Sequence, residues 1–513
     1  TVTFNPGEIN FGNDVWKIHP AKIVYAEKSL EVDNLVLETE TQSISISGKA
    51  SEYENDVLAV SLNKINLIDI FETLEIDKAL ICGQATGDVF ASELFTKNPE
   101  LYCNNLFVKN IGYNRCVFGD ANIKLEYDIE EAAFVFNADI ENPEKQLSKI
   151  IGKIKPATEE MYLKVNCTRV GASFLKPFMA AFCSEIDGIL TGKAHLFGTF
   201  KYCDLEGEVQ ADSLCMGIAF TNTKYYTDTK VKINPGEIIL KDITLRDEKG
   251  HTALLNGSVK HTFFNEPKFD FNITQAKEFL CYNVGEGYDK RWWGTVYGNG
   301  SVSVHGDDKA VNIVANMSTA PNSKFTFQLL NSVDAEEFSF ITFNDVTPVE
   351  ITDSILGVSI ESESERRIRE NTASVTQSNP TAYSIELNMD INNNAEITLV
   401  MDPQAGDMIK ARGNGEMQLA YRSLNNDIWM LGTYTLEKGT YNFTFQNIII
   451  KDFKIRDGSS ITFTGNPYQG ILNIDAIYST NANLTDLDES FLQDKDLTRT
   501  NVPVYAVMKV KGN

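Results

Sequence analysis

"GTYTLEKGTYNFTFQNIIIKDFKIRDGSSITFTG", residues 432–465, places Tyr434 and Leu436, then Tyr441, Phe443 and Phe445, then Phe453 and Ile455, then Ile461 and Phe463, at every second position. Glycines and short polar turns separate the runs. Period-two alternation of this kind is the signature of strands that are apolar on one face only. The stretch contains no amphipathic helix to cover that face, and a sheet does not leave so much apolar surface in water. What covers it decides both fold and function.

The same pattern fills the chain. "SISISGKAS", "ANIKLEYD", "AAFVFNADIENPEK", "LEGEVQAD", "TALLNGSVKHTFF" and "SVSVHGDDKAVNIVANMS" each alternate for five to ten residues and end in Gly, Asn, Asp, Lys or Pro. Short turns between neighbouring runs predict antiparallel meanders, not β-α-β crossovers. At about 13 residues per strand and turn, the 513 residues give roughly 40 strands, a sheet near 190 Å long that must curl. The expected fold class is all-β: one elongated, curled sheet forming a repeating groove with an apolar interior and a few short helices.

Helical patterns are few. In "GASFLKPFMAAFCSEIDG" (171–188), Phe174, Leu175, Phe178, Met179 and Phe182 recur at three-and-four spacing with Pro177 interrupting. A second such run is "INLIDIFETL" (65–74). Each is read as a packing helix, or as a plug or lid across the mouth of the sheet. Residues 354–384 break the alternation with charges and Ser/Thr, as an exposed connection does. They divide the chain into a groove body, 1–353, and a C-terminal groove segment, 385–513.

Composition narrows the function. Asp and Glu number 71 against 46 Lys and Arg, a formal charge of -25, so nucleic acid is not expected as a partner. The eight cysteines have no Cys-x-x-Cys pair and mostly lie in strand-like runs, as small buried hydrophobes do. The five histidines form no metal pair, and no P-loop, G-x-S-x-G or complete G-x-G-x-x-G occurs. Neither an enzyme nor a cofactor or metal is expected. "DKRWWGTVYG" (289–298) is the one place suggesting a glycan site, but Trp292 and Trp293 are adjacent and on a strand face opposite sides. No signal peptide or 18-residue apolar run is present, so an anchor or export signal is expected outside this chain.

Two arrangements would bury the repeated apolar face. The walls can pack on each other as a closed sandwich or β-helix core, which the pattern alone favours, or the sheet can curl into an open gutter. A gutter suits acyl chains: at about 0.8 kcal/mol per CH2, a chain of about 15 carbons needs on the order of 12 kcal/mol to leave a membrane unless apolar surface receives it.

"VMDPQAGDMIKARGNGEMQLAYRS", the 432–465 stretch with its continuation "NPYQGILNIDAIYSTNANLTDL", and "TNVPVYAVMKVKGN" strongly resemble the C-terminal portion of the TamB (translocation and assembly module) proteins in their Bacteroidota form. "DGILTGKAHLFGTFKYCDLEGEVQAD" and "WWGTVYGNGSVSVHGD" resemble the preceding part of the same proteins. The resemblance implies membership of the AsmA-like group: an elongated β-taco in the periplasm, anchored in the inner membrane by an N-terminal helix that this chain lacks. It further implies phospholipid acyl chains as cargo, outer-membrane biogenesis as the process, and an Omp85-type outer-membrane barrel as partner. The alternative it implies is an assembly factor or scaffold for outer-membrane proteins. The groove lining, mapped by alternation, is then Met417, Leu419, Tyr421, Tyr434, Leu436, Tyr441, Phe443, Phe445, Phe453, Ile455, Ile461, Phe463, Leu472, Ile474, Val504, Ala506 and Met508.

Overall fold

The computed structural model describes residues 1–11, 14–73, 81–113, 116–179, 183–287, 291–328, 381–402, 406–425, 427–445, 449–483 and 501–512. Thirty strands among them join in a single sheet. They are fewer than the expected roughly 40 because many are long, up to the 20 residues of Asn265–Val284. From Ser29–Glu38 to Trp292–Asp307 each strand pairs antiparallel with the next in the chain. The turns explain why: at "NPGE", Asn234 pairs with Glu237 around Pro235 and a Gly236 at φ +71°, a tight reversal that returns the chain directly beside itself.

Because each strand of this stretch reverses, the sheet there has two rims of turns. One rim carries the connections at 113–116, 171–183, 218–223, 246–252 and 284–292; the other carries those at 128–133, 155–160, 199–203, 234–237, 262–265 and 307–310.

The ladder has one parallel step. Ala310–Thr319 runs parallel to Ala382–Ile391, and Lys324–Gln328 parallel to Glu396–Asp402. A parallel neighbour needs a long connection, and the step falls where the chain passes through 329–380, outside the described residues. Most of the expected connection at 354–384 lies there too, but Ala382, Tyr383 and Ser384 already belong to a strand. Sheet hydrogen bonding is therefore continuous from the body into the C-terminal segment. The two broken strands are matched: Asn392 Nδ2 donates to the Thr319 carbonyl at 2.7 Å and the Glu396 N–H to the Ser323 carbonyl at 2.9 Å, so both interruptions line up.

Helix is confined to short pieces. "INLIDIFETL" gives Leu67–Thr73. The 171–188 run gives only a 3-10 turn, Ala172–Leu175, and one α-turn, Lys176–Met179, before Cys183 opens a 17-residue strand. Strand pairing overrides the helical spacing from Cys183 on: Cys183, Ile186 and Asp187 pair with Ile218, Met216 and Cys215 of the next strand. Among the described residues no helix is long and apolar enough to cross a membrane.

Candidate functional site: an apolar groove

Across the C-terminal segment and the last strands of the body, the ladder aligns the apolar positions into rows. Trp292, Phe327, Leu399, Ile409, Tyr441 and Phe453 are successive cross-strand partners. A second row runs Phe325, Ile397, Ala411, Gly439, Ile455, Ala476, Met508. Directly opposed side chains on one face are within packing distance, and these rows merge into one cluster that also takes in Met417, Tyr434, Leu436, Ile461, Phe463 and Ile474. Leu436 and Ile474 have no exposed surface.

The parity of the sequence run shifts between Leu436 and Tyr441, and the ladder shows the cause. Leu436 pairs with Gly413 but Lys438 pairs with Arg412, leaving Glu437 as the extra residue of a bulge. Both halves of the strand thus turn their apolar residues inward. Gly432 sits in this lining at φ +127°, where a Cβ would lie 2.2 Å from the Glu416 carbonyl oxygen and 2.9 Å from Met417 Sδ; the close strand approach needs glycine.

Of the remaining expected lining residues, Tyr421 is buried in an adjoining cluster with Leu419 packed against it, and Phe443, Phe453, Leu472 and Met508 pack on the main cluster. Val504 is part-exposed and Ala506 exposed; among the described residues Asn501–Gly512 pairs only with Ile471–Asn483. The side chain of Phe445 lies outside the described residues.

The body holds a lining that the C-terminal reading did not name. Leu125, Phe136, Gly152, Leu163, Leu196 and Leu205 form a row across six strands, and Leu106, Ile123, Ala138, Ile150 and Val165 form the row beside it. Except for buried Gly152 and Ala138, these residues are part-exposed. The intervening residues, among them Lys124, Lys164, His195 and Glu206, are exposed on the other face. The period-two runs "ANIKLEYD", "AAFVFNADI" and "MYLKVNCT" carried this signal. At the base of the trough lies a buried row of alternating size: Ile65, Ala85, Val108, Ala121, Ile140, Ser148.

The expected plug is divided. Phe174, Leu175 and Met179 pack on the buried cluster of Ala172, Cys183, Ile186, Leu190 and Ala211, with the Phe174 ring edge-on to Phe118 at 5.6 Å. Phe178 instead is 53% exposed, while Phe182 lies outside the described residues. All eight cysteines are free. Cys103, Cys183 and Cys215 are buried, and burial pushes the Cys183 thiol up to about 12.

The rims meet through aromatic rings. Phe178 on the first rim contacts Phe264 on the second at 6.4 Å. Phe220 stacks on Tyr383 at 5.7 Å, and Trp292 meets Tyr421 edge-on at 5.7 Å, again from one rim to the other. Phe263 and Phe264 form the two-residue turn closed by the Thr262–Asn265 pair, at φ +51° and +58°. Such turns ordinarily take Asn-Gly, since left-handed backbone costs an L-residue about 1–2 kcal/mol.

A long sheet curled around one apolar face, polar outside and joined rim to rim along part of its length, defines an elongated groove protein. The TamB C-terminal domain family matches residues 241–513, more than half of the chain, and the chain belongs to that family. No curated protein and no solved structure matches it. Membership places it with periplasmic, envelope-associated proteins of outer-membrane assembly or lipid transport. The ladder of successive antiparallel strands continues upstream of residue 241 as far as Ser29–Glu38.

Proposed function

We propose that this chain is a section of a bridge-like lipid conduit, carrying phospholipids between the inner and outer membranes with their acyl chains in the groove and their headgroups in water. The observation that carries the reading is the part-exposed lining of the body: Leu125, Phe136, Leu163, Leu196 and Leu205 in one row, with charged and polar residues on the opposite face. Apolar surface held open to solvent is costly at about 25 cal/mol per Å2, and an acyl chain lying along the row removes that cost for protein and lipid together. In this reading no bond is made or broken. The full-length protein is anchored in the inner membrane, and an Omp85-type barrel receives its C-terminal end.

Native mass spectrometry of the purified chain tests the conduit. Phospholipids should co-purify, and Phe136→Asp with Leu163→Asp should remove most of them while the far-ultraviolet circular dichroism stays that of a sheet. Retention of the same lipid complement in the double variant would sink the reading. Lipid-free protein that instead co-purifies with unfolded outer-membrane strands would favour the assembly-factor reading.

A further inference from the structure

We infer that the Phe178–Phe264 contact is a gate across the mouth of the groove, and that lipid headgroups pass it only when these rings separate. The inference rests on the conduit reading. Phe178 belongs to the connection between Glu160–Gly171 and Cys183–Thr199, on one rim; Phe264 belongs to the turn between Thr252–Thr262 and Asn265–Val284, on the other. Their ladder positions are several strands apart, yet their rings lie 6.4 Å from each other. The contact therefore spans the opening and not neighbouring strands.

Both sides are built to hold a ring there. On the first rim, Phe174, Leu175 and Met179 dock on the interior cluster and leave Phe178 outward, stacked on Tyr113 at 6.4 Å with the planes 9° apart. On the second, His261 stacks on Phe264 at 4.5 Å, and its Nδ1 accepts the Phe264 backbone N–H at 3.1 Å. The turn keeps both Phe263 and Phe264 at positive φ, a conformation that bulky residues avoid unless the surroundings hold it. Phe263 packs edge-on to Tyr202 of the next turn on that rim, at 5.6 Å.

The consequence is geometric. An acyl chain beneath the strap stays in contact with Val209 and the interior cluster, but its headgroup must project through the mouth. Two apposed rings leave it no polar path. The strap is small, though: two rings from two short connections, with Phe178 53% exposed. It can part without disturbing the ladder.

A reversible clamp tests this. In the chain carrying Phe178→His and Phe264→His, zinc bridges two imidazoles at about 2.0–2.1 Å each and holds the rims together; a chelator releases them. A benzoylphenylalanine probe replaces Val209, beneath the strap, or Phe136, in the open trough, and the protein is irradiated with vesicles of phosphatidylethanolamine and phosphatidylglycerol. Zinc should abolish most lipid labelling at position 209, leave that at 136 unchanged, and lose its effect on chelation and in either single-His variant. Labelling at 209 that ignores zinc in the double variant, while 136 is labelled, overturns the gate and leaves the conduit standing. Failure of the double variant to bind zinc overturns the rim contact itself. No labelling at either position without zinc overturns the conduit, and the gate with it.

Discussion

Two rows of the same sheet, built by the same alternation, end in opposite states. In the body, Leu125, Phe136, Leu163, Leu196 and Leu205 stand part-exposed above a base of Ile65, Ala85, Val108, Ala121 and Ile140. In the C-terminal segment, Leu399, Ile409 and Tyr441 are buried in one cluster with Leu436, Phe463 and Ile474, joined by Phe327 at the end of the body. Both rows are apolar on one face and polar on the other, so amphipathic pattern does not separate them. Side-chain size does: alanines alternate with larger residues at the base of the body, whereas the C-terminal row is large at successive positions. Small residues at the base leave the volume above them unfilled, whereas a row of Phe, Leu, Ile and Tyr fills the interior it lines. The two arrangements left open by the sequence, gutter and closed core, thus both occur, at different places along one ladder.

The largest expected difference between the regions is their response to a buried charge. Leu436→Asp puts a carboxylate where no surface is exposed, and should lower stability by about 4 kcal/mol or more, enough to unfold the C-terminal segment. Leu163→Asp places the same charge in a part-exposed trough and should cost about 1 kcal/mol. Urea denaturation midpoints of the two variants measure the contrast. Equal losses would mean that the body is as closed as the C-terminal segment.

Much of this was legible in the sequence. The shift from Tyr434 and Leu436 to Tyr441 and Phe443 places all four inward although their parities differ, and the bulge at Glu437 is the physical reason. Strand length is less legible than alternation: the alternating run "KFDFNIT" continues through bulges into "AKEFLCYNV" as one strand. What pattern could not supply was the distance between the walls. That depends on which residues meet across strands, Ala85 with Val108 and Ala121 with Ile140, and on contacts such as Phe220 with Tyr383, separated by far more sequence than any local period spans. The same alternation places Ala506 inward, yet it is exposed, since parity alone does not say how far the opposite wall reaches.

The second test makes the body resemble the C-terminal segment. Ala121→Leu enlarges the small base of the trough, where the alanine is fully buried between Val108 and Ile140. Overpacking should cost about 1–3 kcal/mol, less than the buried charge, and should reduce the lipid that co-purifies. The converse variant, Phe327→Ala, opens space in the C-terminal row and should cost about 3–5 kcal/mol if that space stays empty. A smaller loss in the presence of phospholipid would show that lipid fills it. If Ala121→Leu leaves lipid content unchanged, side-chain size is not what holds the trough open.

The smallest effect is read without changing the chain. Cys167 is part-exposed on the strand that carries Leu163 and Val165, and Cys183 is buried in the cluster beneath Phe174 and Met179. Thiolate, not thiol, attacks maleimide. Burial raises both thiols, Cys183 to about 12, so at pH 8 neither is labelled fast, but Cys183 should be the slower. Mass spectrometry after timed labelling gives the order. Adding phospholipid should then protect Cys167, which lies along the trough, and leave Cys183 as it was, because protein already covers it. Protection of both would show that lipid reaches past Phe174 and Met179 to Cys183, and protection of neither would leave the trough at Cys167 empty.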